Sequence, residues 1–298
     1  MISMTQSDKM TTCISTYNSL PFLKLAIHSV RKNEHFNSPM IIFADGCTDG
    51  TDEWLWDNRE KYNYKVITAP RCEDSSNGYG MNVCAAAVET PLINFLHADM
   101  YCAKDFDLAL LNKYNTYNDT DRVLISSYRI QPNVFHNGEE PSRPGTIMVP
   151  EHEYGAMPEY FNEELFLRAT EVFCAEHKDF SVAKAEGCSF LISKADWDFI
   201  GGNDLRFKPN GYDDMDLFLR MRQAGYKYCT IGGSVVYHFA GRGGNGFFGK
   251  GLGERNETNQ IGENLSGNAF FAKWGGVPVQ DEWHMVEKII PFSELNLQ

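Results

Sequence analysis

Short apolar runs alternate with amphipathic segments through the first third of the chain. Four of the runs have the length and composition of buried strands: Met10–Thr16, Met40–Ala44, Lys65–Thr68 and Leu92–Leu96. The segments between them carry apolar residues at helical spacing and predict three helices: Pro21–Lys32, Thr48–Trp56 and Gly80–Glu89. This alternation predicts a parallel sheet with right-handed crossovers, which binds its ligands at the carboxyl ends of the strands.

The pattern becomes less regular after residue 119. Between Asp119 and Ala185 it predicts one clear element, an amphipathic helix near Phe161–His177. The elements predicted beyond it are strands over Gly187–Ser193 and Tyr228–His238 and helices over Ala195–Ile200 and Asp214–Gln223. We therefore expect a nucleotide-binding half (1–118), an acceptor-side and catalytic half of the same domain (119–240) and a C-terminal segment (241–298). Its start, Gly241–Gly253, is so rich in glycine that we expect a mobile loop there.

Composition and charge narrow the possible ligands. The chain has 298 residues, of which 43% are apolar, so it can bury the core of one large α/β domain. Its 27 Lys and Arg residues face 40 Asp and Glu residues, a net charge of -13, and no basic run concentrates the positive charge. A protein that binds the nucleic-acid backbone is therefore disfavoured. A phosphate-bearing ligand would have to be held by a metal ion, by helix N-termini or by a few local cations.

Cysteine usage and the lack of long apolar stretches indicate the cellular compartment of the protein. The eight cysteines form no Cys-x-x-Cys pair, so neither a zinc ribbon nor a redox motif is predicted. The N-terminal residues Met1–Lys9 are polar and lack the apolar core of a signal peptide. No apolar stretch approaches the roughly 20 residues of a membrane span. We therefore expect a cytoplasmic protein without a membrane span.

Polar clusters follow several predicted strands, at the edge where ligands should bind. They are Ser15–Asn18, Asp45–Gly50, His97–Asp99 and Tyr237–His238. Taken singly, each is also compatible with a turn, a helix cap or a solvated strand end. Asp99, however, follows an apolar strand directly, where a carboxylate could hold a divalent cation that bridges two phosphates. His238 ends another predicted strand and is the candidate second ligand.

Three carboxylates crowd the start of the helix predicted at Asp214–Gln223. The helix dipole explains some acidity in a first turn, but Asp213, Asp214 and Asp216 exceed what capping needs. Crowded like charges raise at least one pKa, which suits a general base. The spacing predicts that Asp213 caps the helix and that Asp216 pairs with Arg220 four residues later. Asp214 is then the carboxylate left to act as the base.

The motifs together resemble those of the family 2 glycosyltransferases and their GT-A relatives. The resemblance lies in segments that follow the family's order and spacing: Cys13–Asn18 (CISTYN), Ala44–Thr51 (ADGCTDGT), Asn77–Asn82 (NGYGMN), His97–Asp99 (HAD), Gly187–Ser193 (GCSFLIS), Asp198–Phe207 (DFIGGNDLRF), Gly211–Tyr226 (GYDDMDLFLRMRQAGY) and Phe270–Gly275 (FFAKWG). Each motif is weak alone, and their shared order makes the set strong. The resemblance implies a GT-A fold, an α/β architecture with a mostly parallel central sheet flanked by helices and a smaller acceptor-side region.

The resemblance also implies a reaction and assigns residues to it. The reaction is transfer of a sugar from a nucleotide-diphosphate donor, a UDP-sugar, to an acceptor hydroxyl, with inversion at the anomeric carbon. The implied donor-nucleotide residues are Ser15, Tyr17, Asp45, Asn82, His97 and Ala98. Asp99 and His238 would hold the metal, Mn²⁺ in preference to Mg²⁺ because one ligand is an imidazole. Asp214 would be the base, with Asp213 as its rival, and the candidate diphosphate or lid residues are Arg242, Lys250 and Arg255.

The sequence departs from the family at two positions, and three alternatives stay open. His97 stands where the family has the first aspartate of its metal motif, and Ala44 replaces an acidic residue often found before Asp45. A retaining transferase would share the same donor site. A sugar-1-phosphate nucleotidyltransferase would carry a basic, glycine-rich loop after the first strand, which this chain lacks. A non-catalytic binding protein on the same fold is disfavoured because Asp99, Asp214 and His238 are all present.

Overall fold

The first third of the chain folds as the hydrophobic pattern predicts. The computed structural model describes residues 9–133, 145–184, 189–209, 211–240, 257–281 and 285–295. The first seven elements are β1 (Met10–Thr16), α1 (Leu20–Asn33), β2 (Met40–Asp45), α2 (Thr51–Tyr62), β3 (Lys65–Ala69), α3 (Asn77–Ala86) and β4 (Leu92–His97). Every predicted strand and helix of this region is present, with ends that differ by a few residues.

Helix α2 begins three residues after the predicted start because Asp49 fixes the turn before it. Asp49 Oδ1 accepts hydrogen bonds from the backbone N–H (3.2 Å) and the hydroxyl (2.6 Å) of Thr51. Asp49 Oδ2 accepts from the backbone N–H of Leu20, at 3.0 Å, in the first turn of α1. One carboxylate therefore caps two helices and holds two strand-end loops together.

The remainder of the chain contains more regular structure than the sequence pattern predicts. Its elements are β5 (Met100–Cys102), α4 (Phe106–Tyr114), β6 (Val123–Pro132), β7 (Thr146–Val149), α5 (Glu151–Tyr154), α6 (Glu163–Glu176), β8 (Ser181–Val182), β9 (Phe190–Ser193), α7 (Lys194–Ile200), α8 (Asp213–Gln223), β10 (Lys227–His238), α9 (Glu257–Trp274), β11 (Gly276–Gln280) and β12 (Val286–Pro291). Short 3₁₀ turns lie at Pro158–Tyr160 and Phe292–Glu294. The glycine-rich segment Gly241–Gly253 and the candidate lid residues Arg242, Lys250 and Arg255 lie outside the described residues.

Strand β6 corrects the expectation of a loosely ordered region after residue 119. All ten of its residues are buried, yet several are polar, so the strand shows no continuous apolar run. Tertiary partners satisfy polar groups of its serine side chains. The Ser127 hydroxyl, for example, lies 2.8 Å from the Ser234 hydroxyl and 3.1 Å from that of Ser189.

Ten of the described strands form one mostly parallel sheet, as predicted, and β11 and β12 form a separate antiparallel pair. Its order is β3-β2-β1-β4-β9-β6-β10-β5, with β7 beside β6 and β8 beside β10. The pairings of β1 through β4 are parallel, as are those of β6 with β7 and β10. Strands β5, β8 and β9 run antiparallel to their neighbours. Strands from both sides of residue 119 thus contribute to a single sheet.

Helices cover both faces of the sheet and bury a core on each. One core includes Leu23 of α1 and Leu110 of α4, and the other includes Met81 of α3, Trp197 of α7 and Leu217 of α8. Burial of this kind is the main stabilising contribution to an α/β fold. None of the described helices has both the length and the apolar character that a membrane span requires.

Candidate active site

The carboxyl ends of β1 and β4 bring Ser15 and His97 side by side, because these residues pair in the register of the two strands. Asn77, at the start of α3, lies beside both. The Ser15 hydroxyl donates to Asn77 Oδ1 at 3.2 Å, and Asn77 Nδ2 lies 3.4 Å from His97 Nε2. Gly80 permits this packing, since a Cβ there would lie 2.5 Å from the Cβ of Ser15. The helix start therefore crosses the strand ends at close range.

Asp99 and His238, the two predicted metal ligands, lie together at the same edge. Strand β5 pairs with β10 so that His238 stands opposite Met100, the residue after Asp99. The backbone N–H of Phe239 donates to the carbonyl of Asp99 at 3.0 Å. His238 Nε2 lies 3.5 Å from Asp99 Oδ2. The backbone thus fixes the relative position of the two side chains.

His97 completes a three-residue cluster, which the sequence analysis did not foresee. One potential ligand atom from each of His97, Asp99 and His238 lies within 4.8 Å of the others. The sequence assigned His97 to the nucleotide because a histidine replaces the expected aspartate there. The geometry makes it a third candidate metal ligand, and the set becomes two imidazoles and one carboxylate.

The electrostatics of the cluster suit a metal site. Burial lowers the pKa of His97 to about 4, and the charges of His238 and Arg129 act in the same direction. Burial alone would raise the pKa of Asp99, but the charge of His238, its hydrogen bond and His97 hold that pKa well below its usual range. At neutral pH His97 is therefore a neutral imidazole and Asp99 an anion, the forms that bind metal. Nitrogen and oxygen donors in this combination can hold a divalent transition-metal ion.

Asp45 belongs to a second cluster, beside the end of β2. Its side chain is buried and accepts hydrogen bonds from the Ser75 hydroxyl at 2.7 Å and from Arg71 Nη1 at 3.2 Å. The Arg71 guanidinium also stacks on the ring of Tyr17, with its central carbon 3.9 Å from the ring centroid. Two predicted donor residues, Tyr17 and Asp45, are thus joined through an arginine.

Arg71 was missed by the sequence analysis, although a signal for it exists. Strand β3 ends at Ala69, so Arg71 follows the carboxyl end of the strand that neighbours β2. Gly46 lets the two loops meet, because its φ is +61° and a Cβ there would lie 2.5 Å from the backbone nitrogen of Arg71. Any residue that follows a parallel strand within two positions deserves consideration as a ligand contact.

Asn82 and Ala98, the other predicted donor residues, are engaged within the protein. The Asn82 amide donates to the carbonyl of Asn203 at 2.8 Å and accepts from its N–H at 2.9 Å. These bonds hold α3 against the loop after α7. Ala98 is buried. Among the residues of the NGYGMN segment, it is Asn77 whose side chain lies beside Ser15 and His97.

The acidic start of α8 differs in part from its predicted arrangement. Tyr212, with a left-handed φ of 62°, occupies the N-cap position, and no side chain caps the helix. The expectation that Asp213 caps α8 is therefore wrong, because Asp213 is the first helical residue and follows the cap. The predicted pairing of Asp216 with Arg220 is confirmed at 2.8 Å.

Asp216 is fully buried at the centre of a polar network that reaches the C-terminal helix. Besides Arg220, it contacts the ammonium of Lys273 at 2.5 Å and accepts a hydrogen bond from the indole N–H of Trp274 at 3.0 Å. Two cations and an indole donor satisfy its oxygens. Asp216 is thus a structural carboxylate that links α8 to α9.

Asp213 and Asp214 form the part of the cluster suited to proton transfer. Burial raises the pKa of Asp213 to about 7, and the charges of Asp214 and Asp216 add to the effect. Asp214 is exposed, and its Oδ1 accepts from the backbone N–H of Met215 at 2.7 Å. Because the two carboxyls interact, the proton near neutral pH belongs to the pair.

Sequence comparison decides the family. The model of "Glycosyl transferase family 2" matches residues 11–177, more than half of the chain. The chain belongs to glycosyl transferase family 2. The matched region of this family 2 chain contains Ser15, Asp45 and Asp99, whereas α8 and His238 lie beyond it.

Individual relatives of the family 2 chain are distant. Teichoic acid poly(glycerol phosphate) polymerase of Staphylococcus epidermidis is 22% identical over 43% of this chain and 20% of its own length. A crystal structure of GalNAc-T7 with UDP, GalNAc and Mn²⁺ superposes with a TM-score of 0.57 and 16% identity, covering 77% of this chain and 43% of that one. A crystal structure of residues 1–349 of S. aureus TarS superposes with a TM-score of 0.51 and 15% identity, covering 77% of this chain and 60% of that one.

These similarities confirm the predicted GT-A fold. At these low identities, the similarities establish the fold but not the function of the chain. The family 2 chain also spans only 20% of the polymerase and 43% and 60% of the two structural relatives. What it transfers must therefore be argued from its own residues.

Proposed function

We propose that the chain transfers a sugar from a UDP-sugar to an acceptor hydroxyl, with a divalent cation and with inversion at the anomeric carbon. The observation that carries the proposal is the convergence of His97, Asp99 and His238 at the strand ends, within 4.8 Å of one another. Family membership supplies the reaction class. GalNAc-T7, which shares the fold, was crystallised with UDP, GalNAc and Mn²⁺, so this fold accommodates such ligands.

The three-residue cluster would hold Mn²⁺ in preference to Mg²⁺. When bound, the cation would supply positive charge to the departing diphosphate. Asp99 contributes one negative charge and the two imidazoles contribute none, so much of the cation's charge would remain available to the phosphates. In a chain with a net charge of -13, a bound cation at this point would offset the negative charge of a diphosphate.

The nucleotide would lie over the ends of β1 and β2. Ser15, Tyr17 and Asp45 are the proposed uridine contacts, and residues 1–118 the donor half. Arg71 stacks on Tyr17 and hydrogen-bonds to Asp45, so we assign it the role of orienting both. Its guanidinium would also be one of the local cations that the composition leaves open as partners of a phosphate ligand.

The Asp213–Asp214 pair would supply the base, within the proposed acceptor half 119–240. Asp214 is the more exposed carboxylate and the one that an acceptor can reach. As the acceptor oxygen bonds to the anomeric carbon and the bond to the diphosphate breaks, Asp214 takes the hydroxyl proton. The raised pKa of the neighbouring Asp213, about 7, supports the proposal, because it indicates that a carboxyl at this position can exchange a proton near neutral pH.

Thermal stabilisation by ligands tests the donor assignment. UDP with Mn²⁺ should raise the Tm, since a ligand at 100 times its Kd stabilises the native state by about 2.7 kcal/mol. GDP and CDP should raise it less, and Asp45→Ala should weaken the UDP effect. If GDP or CDP raises the Tm and UDP does not, the uridine assignment is wrong.

Turnover tests the remaining parts of the proposal. Chelation should abolish transfer, Mn²⁺ should restore it better than Mg²⁺, and NMR should find the product anomer inverted relative to the donor. Full activity in excess chelator would exclude the metal. Retention of the anomeric configuration would favour the retaining alternative with the same donor site.

A further inference from the structure

Gln131 lies beside His238 because β6 and β10 are parallel neighbours. Tyr237 pairs with Ile130 in the register of the two strands, so the next residue of each, His238 and Gln131, also stand together. Gln131 Oε1 lies 3.0 Å from His238 Nδ1, within hydrogen-bond distance. Only 9% of Gln131 is exposed, so water competes little for this bond.

This contact fixes which nitrogen of His238 carries a proton. A carboxamide oxygen only accepts hydrogen bonds, so Nδ1 must be the donor. In the neutral ring Nε2 then keeps its lone pair, and Nε2 is the nitrogen 3.5 Å from Asp99 Oδ2. The other end of the Gln131 amide, Nε2, lies 3.3 Å from the sulfur of Met148, a weak acceptor. Both neighbours agree with the same amide orientation.

We propose that Gln131 is a positioning residue that holds His238 in the tautomer and ring orientation required to bind a metal. The inference rests on the metal site of the proposed function, in which Gln131 had no role. Metal-ligating histidines commonly donate their second N–H to an oxygen acceptor, and loss of such a partner costs about 10–100-fold in metal affinity. Here the acceptor is a neutral amide on the neighbouring strand.

Mn²⁺ titration followed by electron paramagnetic resonance tests the role. Gln131→Leu removes the acceptor at similar volume and should weaken Mn²⁺ binding by about 10–100-fold. Gln131→Glu keeps an oxygen that accepts from Nδ1–H and should restore affinity to at least the wild-type value. Met148→Leu alters the opposite end of the amide and is the matched control, with affinity expected to be unchanged. The Tm of each metal-free variant separates misfolding from loss of the ligand.

A ¹⁵N NMR measurement on the metal-free wild type tests the same role without substitution. Nδ1 of His238 should carry a proton, whether or not Nε2 is also protonated beside Asp99, and a ring protonated on Nε2 alone would overturn the proposal. If Gln131→Leu binds Mn²⁺ as tightly as the wild type does, the role of Gln131 is also overturned, while the metal site itself stands. A wild type that binds no Mn²⁺ would overturn the metal site and the role of Gln131 with it.

Discussion

Two carboxylates in this chain, Asp99 and Asp213, lose contact with water on folding but have pKa values shifted in opposite directions. Burial by itself raises the pKa of both Asp99 and Asp213. The imidazoles of His97 and His238 surround Asp99 and lower its pKa below the usual range. The carboxylates of Asp214 and Asp216 lie near Asp213 and add to the effect of burial, which together raise its pKa to about 7. The sign of the adjacent charges therefore decides the direction in which the pKa of each carboxyl shifts.

The two regions also differ in how the chain assembles them. The neighbours of Asp213 follow it directly in sequence, so the local pattern alone predicts a crowded acidic cluster. The neighbours of Asp99 arrive through strand pairing, with His238 brought from β10. The anionic side chain of Asp99 thus owes its surroundings to sheet topology, whereas the raised pKa of Asp213 arises among carboxylates that are close in sequence.

The largest predicted effect concerns the base. Asp214→Asn should lower turnover by about 10²–10⁴-fold, the usual contribution of general-base catalysis. Because Asp214 lies on α8 and the proposed uridine contacts lie on other elements, the Kd for UDP should stay nearly unchanged. Steady-state kinetics and isothermal titration with UDP measure the two quantities.

The exposed carboxylate of Asp57, on α2, provides a matched control for this variant. Asp57→Asn removes the same charge and should retain full turnover. If Asp213→Asn instead loses turnover while Asp214→Asn keeps it, the base is Asp213.

The second prediction concerns Asp99, the carboxylate with the lowered pKa, and tests its proposed role in binding the metal. Asp99→Asn should weaken Mn²⁺ binding by at least about 100-fold, more than the loss of a second-sphere partner costs. The reason is that the variant removes the cluster's only negative charge. Mn²⁺ titration measures the change.

Asp105→Asn is the matched control for the metal variant. Asp105 Oδ1 also contacts an imidazole, His35 Nδ1 at 3.1 Å, but this pair is about half exposed and lies outside the cluster. Its removal should leave Mn²⁺ affinity intact. Equal losses in both variants would mean that the measured binding is not specific to the strand-end cluster.

The fold was predictable wherever one strand or helix could be recognised from its own residues. Strands β1 to β4 are short apolar runs, and their order predicted the parallel sheet. Strand β6 was not recognised because its buried positions include serine, arginine and glutamine, whose partners come from distant segments. Polar residues that are satisfied only in the tertiary structure give no apolar signal in the sequence.

The candidate site was predictable to the same extent. Asp99 and His238 were identified as strand-end residues, and the structure brings them together. The position of His97 beside the candidate metal ligands and the contact of Gln131 with His238 were missed because both depend on which strands are neighbours. The capping role of Asp213 was wrong for a local reason, since the left-handed Tyr212 starts the helix one residue earlier than expected.

The smallest predicted effect is on stability, and it tests the direction of the pKa shift of Asp213. The pKa of Asp213 rises from an ordinary 3.8 to about 7 in the folded chain. Between these values the folded state binds a proton that the unfolded state has released, so the protonated carboxyl stabilises the fold at low pH. That contribution is lost as the pH rises through about 7.

Asp213→Asn cannot ionise, so it should have a higher Tm than the wild type at pH 8, with a smaller difference at pH 5.

Asp204 supplies the opposite case. Burial by itself raises the pKa of Asp204, but hydrogen bonds from Arg206 and Lys273 outweigh burial and lower that pKa. Asp204→Asn should therefore reduce the Tm at pH 8, and the loss should shrink as the pH falls toward the ordinary pKa of an aspartate and below it. Melting curves of both variants across this range measure the two slopes. A Tm for Asp213→Asn below that of the wild type at pH 8 would mean that the ionised carboxylate stabilises α8 despite its acidic neighbours, and the contrast between Asp99 and Asp213 would fail.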